Sequence, residues 1–228
     1  MPTLPGPPPI DITLRRSARA RRFSLRVSRV DGRVTLTLPL RAREAEAMAF
    51  VQGQEGWLRG TLARMPVGTV VGFGCVLPVE GRMLTVVPGA GRSVRIVGDF
   101  LEVPGVGGQV GTRVQAYLKT LARTRLVAAS DRYSGMVGKA FTRITLRDPR
   151  SRWGSCTSSG GLMFAWRLVM APPAVLDYVA AHEVAHLVEM NHSAAYWAVV
   201  TGIYPGWKVQ RDWLHSHGAG LQAYRFGA

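Results

Sequence analysis

The chain has 228 residues, 47% of them hydrophobic, enough to bury a core as one large domain or two small ones. Its 29 Lys and Arg against 14 Asp and Glu leave a net charge of +15, which predicts attraction to polyanions: nucleic acid, nucleotides or an acidic protein surface. No apolar run is long enough to span a membrane, and the basic start lacks the apolar segment of a secretory signal.

Residues 1–20 read as a flexible leader rich in Pro and Arg. Ten arginines fall between Arg15 and Arg43. Phe23, Leu25 and Val27 alternate with polar residues, as do Val34, Leu36 and Leu38, and Asp31-Gly32 between them is a two-residue hairpin signal. Met48, Val51, Leu58, Leu62 and Met65 then recur at helical spacing, weakened by Gly53 and Gly56. Short strands follow around 76–79, 84–87, 93–97 and 100–103, so residues 21–106 form a β-rich region with one helix. The remainder, 107–228, is expected to be a second domain. It opens with a helix over 112–133 and a strand over 142–147. The loop "DPRSRWGSC" and a strand over 160–169 come next. Cys75 and Cys156 need not pair, and a reducing cytoplasm is the simplest setting. Cys156 reads as a small residue packed in a strand, ahead of a ligand or nucleophile.

The stretch "HEVAHLVEMNHS" holds three of the five histidines. His182 and His186 lie four apart, which on a helix puts them about 40° apart around the axis, one turn above the other. Two imidazoles so placed reach one metal ion, and Glu183 between them is the carboxylate that a metal-activated water needs as its base. Val175, Tyr178, Val179, Val184, Leu187 and Val188 make the flanking segment an apolar helix, with prolines only at its start. The alternative, two core histidines satisfied by neighbours, fits this pattern less well. A catalytic zinc site takes three protein ligands. No Glu follows Glu189, which leaves His192, Asp212, His215 and His217 as third-ligand candidates. In a continuous helix His192 would point about 240° away from His186, so the helix must break. Asn191 tolerates the left-handed conformation that ends helices, and Ser193 reads as the N-cap of the next one. His192 is therefore the favoured third ligand, with Asp212 and the two C-terminal histidines as alternatives. His215 and His217 otherwise belong to a solvated C-terminal segment.

"RWGSC", "LDYVAAHEVAHL", "MNHSAAYW" and "RDWL", in that order, resemble the YgjP-like metallopeptidase domain, a family related to SprT-like zinc proteases. The resemblance is dense from about Arg143 to Leu214. It implies a zincin-like α+β domain with an HExxH helix behind a β-rich N-terminal region, a Zn2+ cofactor on His182, His186 and His192, and Glu183 as base. By the same analogy residues 161–168 form the edge strand that pairs with a peptide substrate.

The expected activity is that of a cytoplasmic zinc-dependent hydrolase, foremost a metallopeptidase. Two alternatives stand beside it. One is a metal-dependent phosphoanhydride hydrolase acting on nucleoside triphosphates; the other is a nucleic-acid-binding protein with a structural zinc. Glu183 argues against a purely structural metal, which has no use for a base. Arg152, Trp153 and Tyr196 are candidate substrate contacts. Arg152, Tyr196, His215 and His217 are candidate donors to developing negative charge. Expected partners are a polypeptide or nucleotide substrate, with nucleic acid or another polyanion on the Arg-rich N-terminal half and no membrane.

Overall fold

The computed structural model describes residues 2–28, 32–63 and 68–227. The chain divides into two compact units, Met1–Val67 and Gly68–Ala228, so the boundary lies well before the one expected near residue 106.

In the first unit, strands β1 (Thr3–Leu4), β2 (Ile10–Ser17), β3 (Ser24–Val27) and β4 (Val34–Pro39) form one sheet in the order β1-β2-β4-β3. Helices α1 (Glu44–Gly53) and α2 (Glu55–Ala63) complete the unit. Alternation sorts β4 cleanly: Val34, Leu36 and Leu38 are buried, and they share a core with Ile10, Ile12, Val51 and Leu58. β3 and β4 pair antiparallel, as the alternation predicts, with Val27 opposite Val34. Asp31 of the predicted turn and Met65 of the predicted helix lie outside the described residues.

Two expectations are corrected here. The leader is not loose: β1 and β2 sit in the sheet, and the Pro-rich stretch between them is fastened to α2. Arg59 donates to the carbonyls of Pro5 and Pro8, each at 2.8 Å, and its Nε meets Glu55 Oε1 at 2.7 Å. Gly6 (φ 130°) leaves room for that guanidinium, since any side chain there would strike it. The single helix is two, broken at Gln54 (φ −106°, ψ 11°) between Gly53 and Gly56, residues that hold a helical backbone weakly.

In the second unit β5 (Thr69–Val70) comes first. Strands β6 (Val76–Val79), β7 (Arg82–Pro88), β8 (Arg95–Val97) and β9 (Phe100–Val103) follow, ordered β6-β7-β9-β8. Helix α3 (Val110–Val137) buries one stripe, Val110, Val114, Leu118, Ala122, Leu126, Ala129 and Tyr133, at steps of four or three. It ends in the left-handed Gly138 (φ 66°). β10 (Arg143–Arg147), β11 (Gly154–Cys156) and β12 (Gly161–Ala165) form a second sheet in the order β10-β12-β11. The strand expected over 160–169 stops at Ala165, and Trp166–Met170 winds into a fully buried 3-10 turn. An apolar run without alternation does not distinguish those two outcomes.

Helix α4 (Pro173–Ala185) follows, then α5 (Ala194–Ile203), α6 (Trp207–Gln222) and β13 (Tyr224–Arg225), which pairs parallel with β5. α4 is buried nearly all round, packed by α3, α5, α6 and β11, which explains why its sequence is apolar beyond one face. The segment carrying His215 and His217 is a helix, α6, and not an irregular tail. Among the described residues no helix is long and apolar enough to cross a membrane.

Candidate active site

α4 carries His182 and Glu183 in its last turn and stops at Ala185, with His186 as its C-cap (φ −66°, ψ −14°). The break is thus earlier than the one expected at Asn191. Past Ala185 the backbone tightens: Leu187 N–H donates to Val184 O at 2.9 Å and Val188 N–H to Ala185 O at 3.0 Å, both three residues back. Asn191 turns the chain through its side chain and has no positive φ. Its Oδ1 accepts from Ser193 N–H at 2.9 Å and its amide donates to Glu189 Oε1 at 2.7 Å, an Asx turn. Ser193 caps α5 as expected, its hydroxyl accepting from Tyr196 N–H at 3.3 Å.

This path returns His192 to the end of α4. His192 Nε2 lies 3.2 Å from His182 Nε2, and the His186 and His192 rings have centroids 4.7 Å apart. One ligand atom from each of His182, His186 and His192 falls within 4.8 Å of the others. Tetrahedral zinc with its usual Zn–N bonds sets nitrogens about 3.3–3.5 Å apart, so the three imidazoles fit a single ion with little adjustment. Among the described residues this is the one such group. Asp212 is instead paired with Arg211 at 3.1 Å, His217 stacks on Trp213 at 4.8 Å, and His215 is exposed.

The electrostatics suit a cation. Burial, then the neighbouring His186 and His192, pushes the pKa of His182 down to about 3, so it is neutral at physiological pH. Burial also lowers His186. His186 Nδ1 is 3.0 Å from Glu189 O, which can only accept, so Nδ1 carries the proton and Nε2 is free to ligate. Glu183 is 4% exposed, and burial raises its pKa to about 8 against a smaller opposing pull from Arg152. Its Oε2 is buried without a hydrogen-bond partner. A carboxylate desolvated this way needs a cation or a proton beside it.

Tyr196 is not the substrate contact expected. Its side chain is fully buried, its ring stacks on His186 at 4.4 Å, and its hydroxyl donates to His182 O at 2.9 Å. It splints the two ligands instead. Burial raises its pKa, so the hydroxyl keeps its proton. Trp153 is half-buried in the core cluster, its ring against Gly218 of α6, so it serves as an anchor. Arg152 is exposed in the loop before β11. Cys156 stands apart from the metal group, with burial and then Glu183 raising its pKa.

Gly154 is the residue that motif reading passed over. A Cβ there would fall 2.6 Å from Glu183 Cγ, so only glycine lets β11 run directly against Glu183. The signal was present in "WGSC", but nothing in one dimension says which helix the glycine faces. The sheet order also moves the expected substrate strand. β12 is paired on both sides and offers no free edge; β11, beside Glu183, is an edge strand.

Comparison with protein families matches residues 21–217 to one described as the YgjP-like, metallopeptidase domain. Among solved structures, a similar chain is the metallopeptidase zymogen of Pyrococcus abyssi abylysin, at 18% identity and a TM-score of 0.37, covering 40% of this chain and 92% of that one. Comparison with curated proteins gives no match.

Proposed function

Since the chain belongs to the YgjP-like metallopeptidase family, we propose that it is a zinc-dependent peptidase whose general base is Glu183. The observation that carries this reading is the pairing of three converging histidines with a buried carboxylate whose Oε2 has no partner. When bound, zinc acidifies a water and polarises the scissile carbonyl.

The chain's own residues do the rest. His182, His186 and His192 would hold the ion, with Glu189 O fixing the His186 ring and Tyr196 bonded to the His182 carbonyl. Glu183 takes the proton of the attacking water and passes it to the leaving amine nitrogen. A cation beside it favours the carboxylate that this role requires. The substrate backbone adds to the free edge of β11, and Arg152, just before that strand, meets negative charge on the substrate.

A second reading concerns polyanions. Arg15, Arg19, Arg21, Arg22 and Arg26 are all exposed in the first unit. We take this surface as the contact for nucleic acid that the net charge of +15 favours.

The test is metal-loaded protein against an unfolded protein and a panel of nucleoside triphosphates, beside Glu183→Gln. Proteolysis that falls by about 10²–10⁴-fold or more in the variant, with zinc content unchanged, is expected. Hydrolysis of nucleotides alone would transfer the site to phosphoanhydrides.

A further inference from the structure

The sheet has a second exposed edge, β10, and beside it lies an open hollow of ≈ 580 Å³ against α3. None of the metal histidines, Glu183 or Arg152 lines it. Three cations do: Lys119 and Arg123, one turn apart on α3, and Arg147 at the end of β10. The sole acid in its wall, Asp148, is already committed. Arg167, nearly buried, grips both its oxygens at 2.7 and 3.1 Å. Among the described residues Lys119 has only Gln115 Oε1 at 3.2 Å and the Trp166 ring at 5.9 Å. Arg123 and Arg147 have no hydrogen bond or ion pair among the described residues. Trp166 forms part of the same wall. It is 1% exposed, and its Nε1–H is buried without an acceptor.

We propose that this hollow binds a phosphate group, free or as a monoester, held between Arg123 and Arg147. Three unbalanced cations around a concavity match a dianion better than a single carboxylate. Two guanidinium forks on opposite walls suit a tetrahedral anion, whose oxygens leave in several directions. The volume is that of a small-molecule site.

Calorimetric titration of the full chain with inorganic phosphate and with phenyl phosphate tests this. Saturable binding of at least one is expected; tighter binding of the ester assigns a phosphorylated small molecule, and equal binding assigns the free anion. The double variant Arg123→Gln/Arg147→Gln should bind at least about tenfold more weakly, since it loses two charge-assisted contacts on exposed side chains. His186→Ala should bind as the wild type does. No binding, unchanged binding in the double variant, or binding abolished in His186→Ala would each overturn the proposal.

Discussion

On the proposed mechanism Glu183 and Gly154 are the pair on which the chemistry turns, and each constrains the other. The carboxylate sits where burial disfavours its charge, held against a strand that approaches because position 154 has no side chain. Gly154→Ala would place a methyl group into Glu183 and push the base off its line. A displacement of about 1 Å costs on the order of 10²-fold in rate, so proteolysis should fall by that order while elemental analysis still finds the metal. Full activity in this variant would show that Glu183 has slack the packing does not reveal. HExxH was legible because its chemistry fixes a spacing. Gly154 was not, because its partner lies 29 positions away in sequence and only strand β11 against helix α4 brings them together.

At the level of elements, the site depends on how α4 stops. Its last turn tightens at His186, and an Asn191–Ser193 turn and the α5 cap return His192 to His182. His192→Ala should weaken metal retention by more than the about 10–100-fold that losing a ligand's hydrogen-bond partner costs, measured by competition with a chelator. Full retention would reassign the third ligand. That His192 had to turn back was readable from helical geometry, and so was the Ser193 cap. The exact stop was not, because Asn191 could end the helix either by a left-handed backbone or by its side chain, and the sequence is the same for both. Likewise 161–168 reads correctly as a strand for its first half, yet its place in the middle of the sheet depends on partners far along the chain.

For the molecule as a whole, charge and composition describe a surface and not a fold. Exposed arginines of the first unit lie on β2, on β3, in the segment between them and on either side of β4. Replacing Arg15, Arg16, Arg19, Arg21 and Arg22 with Gln should weaken binding to DNA or RNA and flatten its salt dependence, with the logarithmic slope falling by up to about 4. Wild-type protein that shows no salt-dependent binding would remove the polyanion reading. The β-rich character of the first unit was legible in its alternation. The unit boundary was not, because both sides of residue 67 carry short strands and only core membership separates them.

The ladder between β5 and β13 joins the beginning of the second unit to its end. Val71 N–H donates to Arg225 O at 2.8 Å, Phe226 packs on Trp166 at 5.2 Å, and Arg167 holds the carbonyls of Leu221 and Tyr224 at 3.0 Å each. Deleting residues 223–228 should therefore cost about 3–5 kcal/mol, the price of one buried aromatic, read as a lowered melting temperature in thermal denaturation. An unchanged melting temperature would mean that the clasp is ornamental. The deeper consequence is topological. With both ends beside one ladder, the unit is a cassette: residue 227 can be joined to residue 68 by a short linker that keeps Phe226 on Trp166, and the chain reopened at an outer turn. It can equally be spliced into a loop of another protein, carrying the histidine-bearing helix with it.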